Sequence, residues 1–177
     1  MNSTFFDSQE YIGIDYSLKS FIKTEYDNCT FINCNFSNLD LSNTQFIECH
    51  FIDCNFSLSR IKNTGLKRVH FEKCKLVGLN FSEVDPFLLN LKFTDCHLNL
   101  ASFYKLKLKN ITFKNCTLNE IDFVQTDLSD AIFDNNKDEI VDALGDILVT
   151  IIIQAEMQGL SLESCLESAY NVIAKRK

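Results

Sequence analysis

Tryptophan is absent from this chain of 177 residues, proline occurs once and glycine five times. So little Pro and Gly excludes a fold built on many ordinary hairpin turns, which lean on those residues for their backbone angles. A basic surplus is missing too. The formal charge of −7 argues against nonspecific DNA or RNA binding. The start, "MNSTFFDSQEYIGIDYS", lacks a basic stretch followed by an apolar core, so no secretory signal is expected. The apolar run around Ile151 to Ile153 is far too short to span a bilayer. These absences predict a cytoplasmic protein whose eight cysteines are reduced thiols rather than a disulfide scaffold.

Phenylalanine, by contrast, is abundant at sixteen residues, and it is periodic. From Tyr26 a large apolar residue recurs every five positions through Phe31, Phe36, Leu41, Phe46 and Phe51 to Phe81. The register then slips by two. It resumes at Leu88 and runs through Phe93, Leu98 and Phe103 to Phe133. Neither the strand period of two nor the helix period of 3.6 divides five, so this is neither a plain strand nor a helix. Two residues before each centre stands a small or apolar residue, for example Cys34, Thr44, Cys54, Ser59, Thr64, Cys74 and Ala101.

Stretches such as "NCTFINCNFSNLDLSNTQF" and "LNEIDFVQTDLSDAIF" resemble the pentapeptide-repeat family, whose units read roughly A(D/N)LXX. The resemblance covers about residues 21 to 135. It implies a mainly β protein: a right-handed quadrilateral β-helix in which four pentapeptides make one square coil.

An independent check of the square follows from counting. If four units form a coil, residues twenty apart stack, and 22 apart across the slip. Phe31, Phe51, Phe71, Phe93, Phe113 and Phe133 then make one column, and Cys34, Cys54, Cys74, Cys96 and Cys116 another. On the outside Asp40 falls over Arg60 and Glu48 over Arg68, while Asp53, Lys73 and Asp95 alternate in sign. Rungs about 4.8 Å apart make such alternation favourable. Coils touch only their neighbours, so the ends need covers. Residues 1–20 are expected as an N-terminal cap, 21–135 as the rod, and 136–177 as an α-helical hairpin covering the other end.

Several features invite a chemical reading. The inward thiols are expected as small core filler, because zinc sites need four converging ligands at closer spacing. His50 and His70 stack under Lys92 with no carboxylate in that column, and are expected as a solvated pair. Lys105, Lys107 and Lys109 beside Tyr104 make a patch too small for a nucleic-acid stripe. The slip at "FSEVDPFLL" must bulge from the wall, and irregular loops on regular scaffolds often carry binding. Glu83, Asp85 and Pro86 are therefore the candidate binding residues.

The tail changes period. Ile140, Leu144, Ile147, Leu148, Ile151 and Ile152 form an apolar helical stripe, Gly159 ends it, and Ser161 starts a second helix. Val141, Val149 and Ile153 lie off that stripe, so the first helix is apolar around much of its girth and is expected to form a homodimer interface. "DEIVDALGDILVTIIIQAEMQGLSLESCLESAYNVIAKRK" resembles the second half of the MazG-type nucleotide pyrophosphohydrolases, which hold Mg²⁺ with an E-x-x-E pair and an E-x-x-D pair. On that resemblance Asp146 matches the last ligand, Ala143 stands where a glutamate belongs, and Glu139 and Asp142 offer a remnant pair one turn earlier. The first pair is missing upstream, and one helix's carboxylates do not complete an octahedral Mg²⁺ site.

No phosphate loop or nucleophile motif occurs in the repeats. The expectation is therefore a non-enzymatic protein-interaction module that needs no cofactor or metal. The family resemblance implies type II topoisomerases, DNA gyrase or topoisomerase IV, as partners bound by DNA mimicry. Against mimicry, the repeat section has only a modest acidic excess, with signs alternating rather than gathered on one face. A generic scaffold and a degenerate pyrophosphohydrolase fragment are the alternatives.

Overall fold

A computed structural model describes residues 5–134 together with Gly159, Ser161, Glu163 and Ser164. Short parallel strands stack into two sheets. One contains β1 (Phe5–Asp7), β3 (Glu25–Asp27), β5 (Gln45–Ile47) and β7 (Gly65–Lys67). The other contains β2 (Glu10–Ile12), β4 (Thr30–Ile32), β6 (His50–Ile52), β8 (Val69–Glu72), β9 (Leu91–Thr94), β10 (Thr112–Lys114) and β11 (Ile132–Asp134). Registers advance by twenty, as in Phe31 beside Phe51, and by 22 from Phe71 to Phe93. Isolated bridges stack the two remaining walls at the same offsets, as in Asn35 with Asn55 and Ser102 with Asp122. The described chain is thus a β-solenoid with four walls per coil, and the seven rungs of the larger sheet bound six coils.

Why five residues make a wall is visible at each position. The centre points inward and stacks on its counterpart one coil away. The phenylalanine column holds centroid distances of 4.9 Å for Phe31–Phe51, 5.2 Å for Phe51–Phe71 and 5.4 Å for Phe71–Phe93. Tyr11 extends it outward, 4.6 Å from Phe31. Residues 5–20, expected as part of an N-terminal cap, form a coil of the same register from Phe5 onward: Phe6, Tyr11 and Tyr16 stack on Tyr26, Phe31 and Phe36.

The small residue two before each centre also points inward, and its donor meets the carbonyl of a centre 23 residues earlier. Cys54 donates to Phe31 O at 3.3 Å, Ser59 to Phe36 O at 2.7 Å and Thr64 to Leu41 O at 3.0 Å. Thr44 occupies an equivalent position, but its buried hydroxyl has no partner. Two isosteric changes should therefore differ. Thr64→Val is expected to cost about 0.5–1.5 kcal/mol, while Thr44→Val leaves stability unchanged or raises it, because a net bond is lost only in the first. Chemical denaturation of the two variants checks this.

Among the described residues only two corners fall on glycine, Gly13 at φ 62° and Gly78 at φ 68°. Twenty non-glycine residues hold φ between 48° and 65°, and ten are Asn or Asp, the side chains that tolerate the left-handed region best. Scarce glycine therefore excluded hairpins but not these corners.

The Asp or Asn before each centre accepts the N–H two residues on: Asp15 from Ser17 at 2.9 Å, Asn55 from Ser57 at 3.0 Å, Asp127 from Ser129 at 3.0 Å. The Ser17 and Ser129 hydroxyls and N–H groups hold Asp15 and Asp127 below the ordinary carboxylate range. Lys23, at 2.7 Å, and Ser42 do the same for Asp40. A depressed folded-state value means the stabilisation is complete above the unfolded carboxyl value and is lost as pH falls through the folded one. Thermal stability is therefore expected to drop below about pH 4. Asp15→Asn with Asp127→Asn should flatten that acid limb, since Asn35 and Asn55 already make the same turn.

Two compact units are distinguished, Met1–Glu139 and Ile140–Lys177. In the second, Gly159 has φ +66° and Ser164 N–H lies 3.4 Å from Ser161 Oγ. The rest of the expected hairpin lies outside the described residues.

Candidate functional site

The larger sheet runs past the slip without interruption, and the irregularity falls on the neighbouring wall. A 3₁₀ turn over Phe81–Glu83 opens it, with Asn80 Oδ1 accepting Ser82 N–H at 3.1 Å and Asn80 Nδ2 donating to Glu83 Oε1 at 3.1 Å. Val84 is buried, and Asp85 still bridges Gly65 at the ordinary twenty-residue offset. Pairing is regained where Asn90 N–H donates to Leu66 O at 3.1 Å and Asn90 O accepts Val69 N–H at 3.0 Å. Residues 86–89 are left to arch outward between these points.

The turn at its root is specific. Asp85 Oδ1 accepts Phe87 N–H at 3.0 Å across Pro86, whose fixed φ suits the position after such an Asp. Leu88 then takes φ 57°. Phe87 and Leu88 are 63% and 64% exposed, whereas Leu89 packs against the core. The expected resumption of the inward register at Leu88 is thus corrected: Leu89 takes the inward seat, and Leu88 projects.

Lys67 Nζ sits 5.5 Å from the Phe87 ring centroid, a cation–π contact on the same wall. Between the arch and the coil beneath lies an open cleft of about 490 Å³, lined by Ile47, Lys67, Arg68, Leu88, Leu89 and Asn90. Arg68 is already paired with Glu48, as column counting expected. Of the three sequence-derived binding residues, Glu83 and Asp85 shape the arch through their bonds to Asn80 and Phe87, and Pro86 sets its bend. The groups offered outward are Phe87 and Leu88. Both stand in the sequence as an apolar pair, of which five-residue spacing places Leu88 on a rung.

Elsewhere, Lys105 lies 4.7 Å over the Tyr104 ring, and Lys107 stacks beside Asp127. Asp40 finds Lys23 rather than Arg60 as its ion partner, although Arg60 is its register neighbour. Lys73 Nζ is 3.9 Å from Glu72, not from the aspartates of its own column. Burial pushes the Cys49 thiol up to about 12 and raises Cys29 as well, so neither is a nucleophile near neutrality. His70 is held below its ordinary value by burial, then by His50 and Lys92. Glu139, Asp142, Asp146, Val141, Val149 and Ile153 lie outside the described residues. Among the described residues no helix is long and apolar enough to cross a membrane.

Two family models match the repeats. Residues 24–86 match the family described as Pentapeptide repeat region, and residues 107–135 match Pentapeptide repeats (8 copies). Together the two matches take in more than half of the chain. No curated protein matches. Among solved structures, full-length QnrB1, a plasmid-mediated fluoroquinolone resistance protein, is 24% identical over 72% of this chain and 71% of its own, with a TM-score of 0.36. Rfr23 from the cyanobacterium Cyanothece 51142 is 13% identical over 76% and 86%, with a TM-score of 0.24. HetL from Nostoc sp. strain PCC 7120 is 10% identical over 72% and 86%, with a TM-score of 0.25.

Proposed function

Because the chain is a pentapeptide-repeat protein, a stack of near-identical walls around a filled core, we propose that it works as a non-enzymatic protein-interaction module. The observation that carries this reading is the arch at 86–89. It presents Phe87 and Leu88 to solvent from a rigid wall, beside Lys67 and Arg68. Burying such side chains against a partner is worth about 1.5–3 kcal/mol each, which makes the pair an anchor, and the adjacent Lys67 suits an acidic group on the partner.

Type II topoisomerases are the partners to test first, since the repeats resemble those of proteins that bind them. One observation favours DNA mimicry at one end of the rod. Asp7 stacks in register on Asp27, and Glu10, Asp15 and Glu25 belong to the same two coils. Like charges in direct register are unfavourable for folding alone, so a function for them is worth testing. Farther along, Glu48–Arg68 and Lys114–Asp134 neutralise the ladders.

The test is DNA supercoiling by gyrase, and decatenation by topoisomerase IV, with and without a fluoroquinolone and with increasing amounts of this protein. Altered activity or protection supports the topoisomerase reading. Absence of binding to both enzymes reduces it to a scaffold for another protein. The apolar sequence pattern around Val141, Val149 and Ile153 adds homodimerisation through these residues to the proposal, which a clean monomer in sedimentation at micromolar concentration would overturn.

A further inference from the structure

The outer face of the larger sheet carries a cluster that column counting alone does not assemble. His50 on β6 and His70 on β8 are register partners, with rings stacked 4.6 Å apart and inclined by 6°. Glu72 lies two residues beyond His70 on the same strand, so it shares the outward face. Its Oε2 stands 3.4 Å from His50 Nε2, yet that nitrogen is shut off from solvent and makes no hydrogen bond. The three donor atoms lie within 4.8 Å of one another, and all three residues are half-buried. His70 Nε2 meets the Thr94 hydroxyl at 3.0 Å.

We propose that His50, His70 and Glu72 form a binding site for a divalent transition-metal ion such as Zn²⁺ or Ni²⁺. Two imidazoles and a carboxylate are a donor set that these borderline ions accept, with the remaining positions open to water on this outer wall. An ion with bonds of about 2.0–2.2 Å would bring the donors to roughly 3.0–3.4 Å apart. Side-chain rotation supplies that closure, because the strands beneath are fixed by the sheet. His50 Nε2 gains the partner it lacks. His70 exchanges the Thr94 hydroxyl for the ion, leaving that hydroxyl to bond a metal-bound water. Two groups oppose the site: Lys92, the next residue in the histidine column, and Lys73, 3.9 Å from Glu72 Oε1.

Isothermal titration of the full reduced chain with Zn²⁺ and with Ni²⁺ tests this, with circular dichroism confirming that each variant is folded. One equivalent is expected to bind. His70→Ala and His50→Ala should weaken it at least about tenfold, and Glu72→Gln should weaken it while keeping the stacked rings. Lys92→Gln should tighten it, and His97→Ala, on another wall, should change nothing. Nuclear magnetic resonance of the wild type supplies a reading independent of any variant: Ni²⁺ should broaden the His50 and His70 ring signals before that of His97. No saturable binding, binding unaffected by either histidine change, or affinity indifferent to Glu72→Gln would each overturn the three-ligand site.

Discussion

Replacing Phe51 by alanine is expected to lower the stability of the rod by about 3–5 kcal/mol, the range for removing a fully buried aromatic. Phe51 is 0% exposed. Its ring stacks on Phe31 and Phe71 and meets Phe46 and Phe56 edge-on at 5.2 Å and 5.0 Å. Neighbouring rungs are held by the same sheet, so the hole cannot close by moving one side chain. Since coils contact only their neighbours, the damage should split the rod into two halves that melt at different temperatures. Phe51→Leu should cost less, because Leu66, Leu76 and Leu98 already serve as buried centres. Phe133→Ala, on the last described rung and only partly buried, should be milder than either. Calorimetry of the four proteins measures the order, and equal losses at Phe51 and Phe133 would contradict the stacked-column account.

Deleting Pro86 and Phe87 together is expected to leave the rod folded and as stable as the parent. The shortened sequence reads Val84, Asp85, Leu88, Leu89, Asn90, Leu91, which restores the five-residue unit. Val84 and Leu91 are already buried, Asp85 already pairs with Gly65, and Asn90 would supply a residue suited to the left-handed corner. Leu88 would turn inward onto the rung above Leu66, and the exposed apolar pair would vanish. Deleting Ser57 and Leu58, an equal loss within a regular wall, should instead unfold the chain, because the next inward seat would fall on an outward residue. Thermal melts of the two deletions discriminate a removable arch from a structural part of the wall.

The rod was legible in the sequence because every wall repeats the same decision. A residue type that fits the inward seat recurs often enough for the offset of twenty, and the jump to 22, to be counted. Contacts that run diagonally were not legible in that way. Lys23 reaches Asp40 and Glu72 approaches His50 from neighbouring columns, which no vertical count brings together. The seat after the slip depended on local turn chemistry: with Asp85 closing a turn through Phe87 N–H, Leu89 rather than Leu88 arrives facing the core. In the first coil Phe6, Tyr11, Tyr16 and Phe21 keep the same interval upstream of Tyr26, but three of the four are not matched by a small residue two positions before. The candidate binding residues were found as a segment, from its broken period. Which side chains it projects was set by the turn.

The central claim is that the rod displays, on an arch it does not need for folding, the surface that binds a type II topoisomerase. Capture of gyrase and topoisomerase IV by the wild type and by the Pro86–Phe87 deletion, side by side at equal concentration, tests it most directly. The account predicts binding by the wild type and at least tenfold weaker binding by a fully folded deletion variant, since losing one apolar anchor of about 1.5–3 kcal/mol has that size. Equal binding by the two, or no binding by the wild type, would contradict it.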